Sequence, residues 1–118
     1  MPWREQKGAY EVWISEIMLQ QTRIEAVKGY YDRFLKRLPA VKDLAEIPQE
    51  ELMKLWEGLG YYNRARNLQK AAQKVQDEYD GVLPADYEKL KSLPGIGNYT
   101  AGAIASIAYK IPAPAVDG

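Results

Sequence analysis

Apolar side chains recur along most of this chain at three- and four-residue intervals, the spacing that aligns one face of an α-helix. Tyr10, Trp13, Ile14, Ile17 and Met18 form one such face, Val12 and Leu19 form a second apolar strip opposite, and together they predict a helix over residues 9–19. Thr22 followed by Glu25 has the form of a capping box, so a second helix is expected over 23–38 with Ile24, Val27, Tyr31, Phe34, Leu35 and Leu38 at core spacing. Pro39 ends it. A short helix over 41–47 leads to Pro48, which suits the opening of another over 49–57 with Leu52, Leu55 and Trp56 turned inward. The longest helix is expected over 63–79, its apolar stripe made by Ala65, Leu68, Ala72 and Val75, with Arg64, Arg66, Lys70 and Lys74 adding positive charge and Gly81 capping its end. Pro84 and Asp86 open a short helix to about Ser92, Leu93-Pro94-Gly95-Ile96-Gly97 breaks it, and a final Ala-, Gly- and Ser-rich helix is expected over 98–109. Pro112 and Pro114 then hold the chain extended. No alternating strand pattern and no repeat is present, so the reading is all-α, with residues 1–118 in one domain.

Composition narrows the chemistry. With 118 residues, no cysteine and no histidine, the chain has no disulfide framework, no thiolate zinc site and no iron–sulfur ligands of its own. No apolar run approaches the roughly eighteen residues that would cross a bilayer, and an intracellular protein without a membrane partner is the expectation. Sixteen basic residues balance sixteen acidic ones. Nucleic-acid binding would therefore rest on backbone N–H groups and helix starts more than on overall attraction, with weak affinity and steep salt sensitivity expected.

Five stretches can carry function. Glu16 sits in a helix that is apolar on two sides, and partial desolvation would favour its neutral, proton-donating form, although pairing with a lysine or arginine is a common fate for such a residue. Gly95-Ile96-Gly97 between two helices can form a hairpin whose N–H groups, with those of the helix beginning at Asn98, point at a phosphate while Ile96 plugs the core; an ordinary helix connection has the same pattern. Gly58-Leu59-Gly60 presents Tyr61 and Tyr62; Tyr62 is expected to fill core, and Tyr61 is open to base stacking. Gln20, Gln21 and Thr22, at the junction of two helices, can enter a base stack, read a base edge, or simply be solvated. Asp117 fits an N-cap, yet an ionised carboxylate paired with a neutral one is also what breaking an N-glycosidic bond requires.

Pro2-Trp3-Arg4, Ser15 to Thr22, Leu55 to Tyr62, Leu93 to Gly97 and Val116-Asp117-Gly118 together resemble the helix-hairpin-helix DNA glycosylases, and among them the MutY-type adenine DNA glycosylases. The resemblance implies a six-helix barrel spanning residues 1–118, with the helix-hairpin-helix motif at about 86–109. It implies that Glu16 protonates a flipped adenine and that Asp117 stabilises the oxocarbenium sugar while water completes hydrolysis. Trp3, Arg4 and Leu19 would line the adenine pocket. Gln21, Thr22 and Tyr61 would sit at the vacated stack beside the opposing 8-oxoguanine or guanine, Gln20 would be a further DNA-binding residue, and Gly95, Gly97 and Asn98 would grip the DNA backbone, with a monovalent cation at the hairpin. Tyr99 stands where strand-cutting relatives carry a lysine, which implies base removal alone. Relatives of this kind work as monomers on double-stranded DNA in a bacterial-type cytoplasm, associated with the nucleoid. Their iron–sulfur domain has no counterpart in these residues, so the chain reads as a barrel truncated at both ends and weakly active or inactive alone. A non-catalytic module that holds duplex DNA through phosphates is the alternative, and a helical protein-interaction domain is a third.

Overall fold

The computed structural model describes residues 8–20 and 24–111, and every regular element among them is helical. In chain order these are α1 (Ala9–Leu19), α2 (Ile24–Arg37), α3 (Val41–Glu46), α4 (Gln49–Trp56), α5 (Tyr62–Tyr79), α6 (Tyr87–Lys91) and α7 (Asn98–Ala103). The last continues into a π-helical turn, Ile104–Ala108. Thr22 and the expected capping box lie outside the described residues.

The two apolar sides of α1 make it a central helix. Trp13, Ile14 and Met18 are wholly enclosed and Val12 nearly so, while α2, α7 and the π-helical turn pack around them. Its first turn is tied down where the Tyr10 hydroxyl donates to the Leu38 carbonyl, 2.7 Å away, just past α2. Burial alone would leave that hydroxyl costly, so the bond is what makes a tyrosine tolerable there. Phe34 of α2 meets Trp56 of α4 edge to face at 6.2 Å, and both are fully enclosed. On the other side α3 lies along α5, where the buried Gln69 side chain donates to the Ile47 and Leu44 carbonyls at 2.7 and 3.4 Å. Those carbonyls end α3 and its connection, and would otherwise be buried without donors.

Four features differ from the sequence expectation. Tyr62, expected in the core, is the first residue of α5 and is exposed, because the helix starts one residue early and turns that position outward. The left-handed cap of α5 begins at Asp80 (φ 53°) ahead of Gly81 (φ 80°), and the Gly81 N–H closes back to Val75 O at 3.1 Å; Asp tolerates this region better than most residues. The final helix is not uniformly α: from Ile104 it widens, and the Ile111 N–H reaches the Ala105 carbonyl at 2.9 Å after a left-handed Lys110. Leu19, assigned to the second apolar strip, is exposed at the end of α1.

Candidate nucleic-acid interface

Three structures converge on one side of the molecule: the last turns of α1, the glycine turn before α5, and the hairpin between α6 and α7. Asp86 caps α6 by accepting from the Lys89 N–H at 3.0 Å, and the chain then doubles back through Leu93–Gly97. Leu93 and Ile96 are buried, so the hairpin is pinned by its apolar residues and presents its glycines. Gly95 has φ +76°, and a Cβ there would stand 3.0 Å from the Asn67 Cβ of α5. Both the turn and the close approach therefore require glycine. Gly97 is different: it is extended, and a Cβ would meet nothing within 4 Å. It leads into α7, whose start has no side-chain cap over its first N–H groups.

The glycine turn is built the same way from the opposite direction. Leu59 is buried, the Trp56 indole N–H donates to the Gly60 carbonyl at 2.9 Å, and Gly58 and Gly60 have φ of +95° and +75°. Tyr61 follows with φ +50°, a left-handed conformation costing about 1–2 kcal/mol for a residue with a side chain. Its ring is 72% exposed, with the Arg64 guanidinium 5.6 Å from the ring centroid. The Tyr61 side chain is thus held outward at a conformational cost and adds little to the core.

Between these parts lies a cavity of about 480 Å3, within the range of small-ligand sites. Trp13, Ile17 and Gln20 of α1 form one wall, Arg64, Asn67 and Leu68 of α5 a second, and Pro94 to Thr100 the third, including Gly95, Gly97, Asn98 and Tyr99. Tyr99 is 77% exposed at its rim. Glu16 is half-buried and shares a helical stripe with Trp13, Ile17 and Gln20, though it is not itself a lining residue; Leu19 and Tyr61 lie outside the cavity too. Trp3, Arg4, Gln21, Thr22 and Asp117 fall outside the described residues. Sequence reasoning missed the wall made by Arg64 and Asn67, and missed Thr100. Their signal was faint: Arg64 reads as one of several charges on a wet helix face, and Thr100 as one more small residue of α7.

A small-residue hairpin pinned against a long helix, beside a cavity walled by a largely apolar helix in which Glu16 is half-buried, is a helix-hairpin-helix arrangement. Residues 14–118 match the HhH-GPD superfamily of base excision DNA repair proteins, and the chain belongs to that family. Over its whole length it is similar to proteins named adenine DNA glycosylase: 44% identical to that of Buchnera aphidicola subsp. Baizongia pistaciae, 47% to that of Rattus norvegicus and 46% to that of Homo sapiens. It covers 34%, 25% and 23% of those proteins, so it spans about a third of their length or less. Among solved structures it superimposes on a thermostable thymine-DNA glycosylase with a TM-score of 0.85 at 31% identity, covering 94% of this chain and 52% of that one. A trapped endonuclease III–DNA covalent intermediate gives 0.84 at 32% identity, covering 95% and 53%.

Proposed function

We propose that residues 1–118 are the six-helix-barrel core of an adenine DNA glycosylase, which removes adenine mispaired with 8-oxoguanine or guanine in base excision repair. The observation that carries this is the position of Glu16: one carboxylate, half-buried, on the stripe of α1 that walls the hairpin cavity. The relatives' names, over the full length of the chain, supply the base. In this reading an adenine is extruded from the duplex before chemistry begins. Glu16 donates its proton to the base as the N-glycosidic bond breaks, the bonding electrons leaving with adenine. Asp117 stabilises the positive charge left on the sugar, water supplies the oxygen at the anomeric carbon, and the water proton returns to the Glu16 carboxylate. Tyr99, at the cavity rim with no lysine in its place, offers no amine for a Schiff base, so the reaction ends at base removal.

The DNA-facing roles belong to the same reading. Gly97 and Asn98 approach the phosphate backbone at the start of α7, with a monovalent cation at the hairpin, and the presented ring of Tyr61, with Gln21 and Thr22, fills the vacated stack. Trp3, Arg4 and Leu19 border the base. The partner is double-stranded DNA, bound by a monomer in the nucleoid.

The test is single-turnover release of adenine from an adenine:8-oxoguanine duplex, in the chain extended at both ends to the length of its relatives. Glu16→Gln is expected to slow release at least about 100-fold, the lower range for loss of a general acid, with duplex binding retained. Undiminished release would overturn the role of Glu16. Binding without release, even in the unaltered sequence, would leave a module that only holds DNA.

A further inference from the structure

The side-chain amide of Gln20 is engaged at both ends. Its Nε2 donates to Thr100 Oγ1 at 3.1 Å, across 80 residues of chain, and its Oε1 accepts from Arg64 Nη1 at 2.9 Å. Arg64 lies against the Tyr61 ring, and Thr100 is 2% exposed inside α7. The four side chains thus form a relay from the presented ring of the glycine turn, through the end of α1, into the hairpin helix. The orientation of the amide is fixed by its partners, since a guanidinium only donates and must face the oxygen.

We propose that Gln20 is a positioning residue: its amide clamps the Tyr61 turn and the hairpin helix to the last turn of α1, so that the three DNA-facing elements hold one spacing around Glu16. Resting on the glycosylase reading, this assigns the two adjacent glutamines different tasks, Gln20 to the protein and Gln21 to the DNA. Glu16 is one helical turn before Gln20 on the same face, so fixing Gln20 fixes the height of Glu16 against the hairpin. The relay lies on an exposed side of the molecule, and a duplex covering it removes the water that competes for these bonds. The clamp therefore tightens on binding, which is when Glu16 must be in place.

Gln20→Leu, Thr100→Val and their combination separate this from direct contact with DNA. In the chain extended to its relatives' length, each single change is expected to slow single-turnover excision about tenfold, with duplex affinity within about twofold of the unaltered protein. The double change is expected to be no slower than either single one, because both break the same link. Thr100→Ser, which keeps the hydroxyl, is expected to restore the rate. Additive losses, or affinity falling in step with excision, would overturn the proposal, the second by making Gln20 a DNA contact. Unchanged rates would overturn it as well. If the unaltered protein excises nothing, the glycosylase reading fails by itself, and the clamp is read from amide exchange in the free chain. Gln20→Leu should then speed exchange at Ala101 and at Arg64 together, whose N–H groups donate to Gly97 and Tyr61; unaltered exchange at both positions would refute it.

Discussion

Tyr10 illustrates how one side chain carries several duties. Burial first, then the carboxylates of Asp43 and Glu11, push its phenol well above the ordinary value of 10.0, while Tyr31 is pushed up to about 12 by burial, Glu11 and Asp32. A phenol whose pKa is raised by folding keeps its proton in the native state after the unfolded chain has lost it. The unfolded chain then binds fewer protons, and stability falls as pH rises. Stability is therefore expected to be insensitive to these groups below about pH 10 and to decline above it. Tyr10→Phe should cost about 1 kcal/mol at neutral pH through the lost bond to Leu38, yet flatten the alkaline decline, as urea midpoints at a series of pH values would record. At this scale the sequence was legible where a residue answers to periodicity: Trp13, Phe34 and Leu52 are all enclosed as their spacing predicts, and Ile96 as its place between two glycines predicts. It was not legible where the partner is remote. Nothing local to Gln20 announces a threonine 80 residues away, and Tyr62 turned outward because a helix start moved by one position.

Among the elements, the hairpin gives the sharpest contrast. Two glycines that look equivalent in Gly95-Ile96-Gly97 stand in different surroundings. Gly95 serves the protein, since its φ and the nearby Asn67 both exclude a side chain; Gly97 faces open space in an ordinary extended conformation. Gly95→Ala is expected to destabilise the fold by about 1–2 kcal/mol. Gly97→Ala should leave the denaturation midpoint unchanged, and weaken duplex binding if a phosphate approaches that backbone as proposed; a binding assay beside thermal melts checks both. Gln69 provides a further element-level prediction. Gln69→Leu leaves the Ile47 and Leu44 carbonyls without their donor and should cost about 1–3 kcal/mol in denaturant unfolding, despite adding apolar surface to the core. Helix positions were readable from pattern, proline and glycine. The change of helix type at Ile104 was not, since one surplus residue over a single turn is too short to register in a spacing pattern.

For the molecule as a whole, neutrality of charge and a concentrated working face go together. With sixteen charges of each sign, long-range attraction contributes little, and in the proposed reading duplex affinity comes from the hairpin, the Tyr61 turn and the end of α1 together. Binding should accordingly be weak at about 50 mM salt and weaker still at about 200 mM, as a titration with duplex at the two salt concentrations would record. The widened turn at Ile104–Ala108 has a consequence for this arrangement. Relative to an α-helix it holds one surplus residue, and so works as a phase shift between the barrel and whatever follows Ile111. Deleting Ser106, an exposed member of that turn, would restore α spacing and swing the outgoing chain by about 100° about the axis. Circular dichroism should hardly notice, while adenine release by the extended chain should fall if Asp117 acts with Glu16 as proposed.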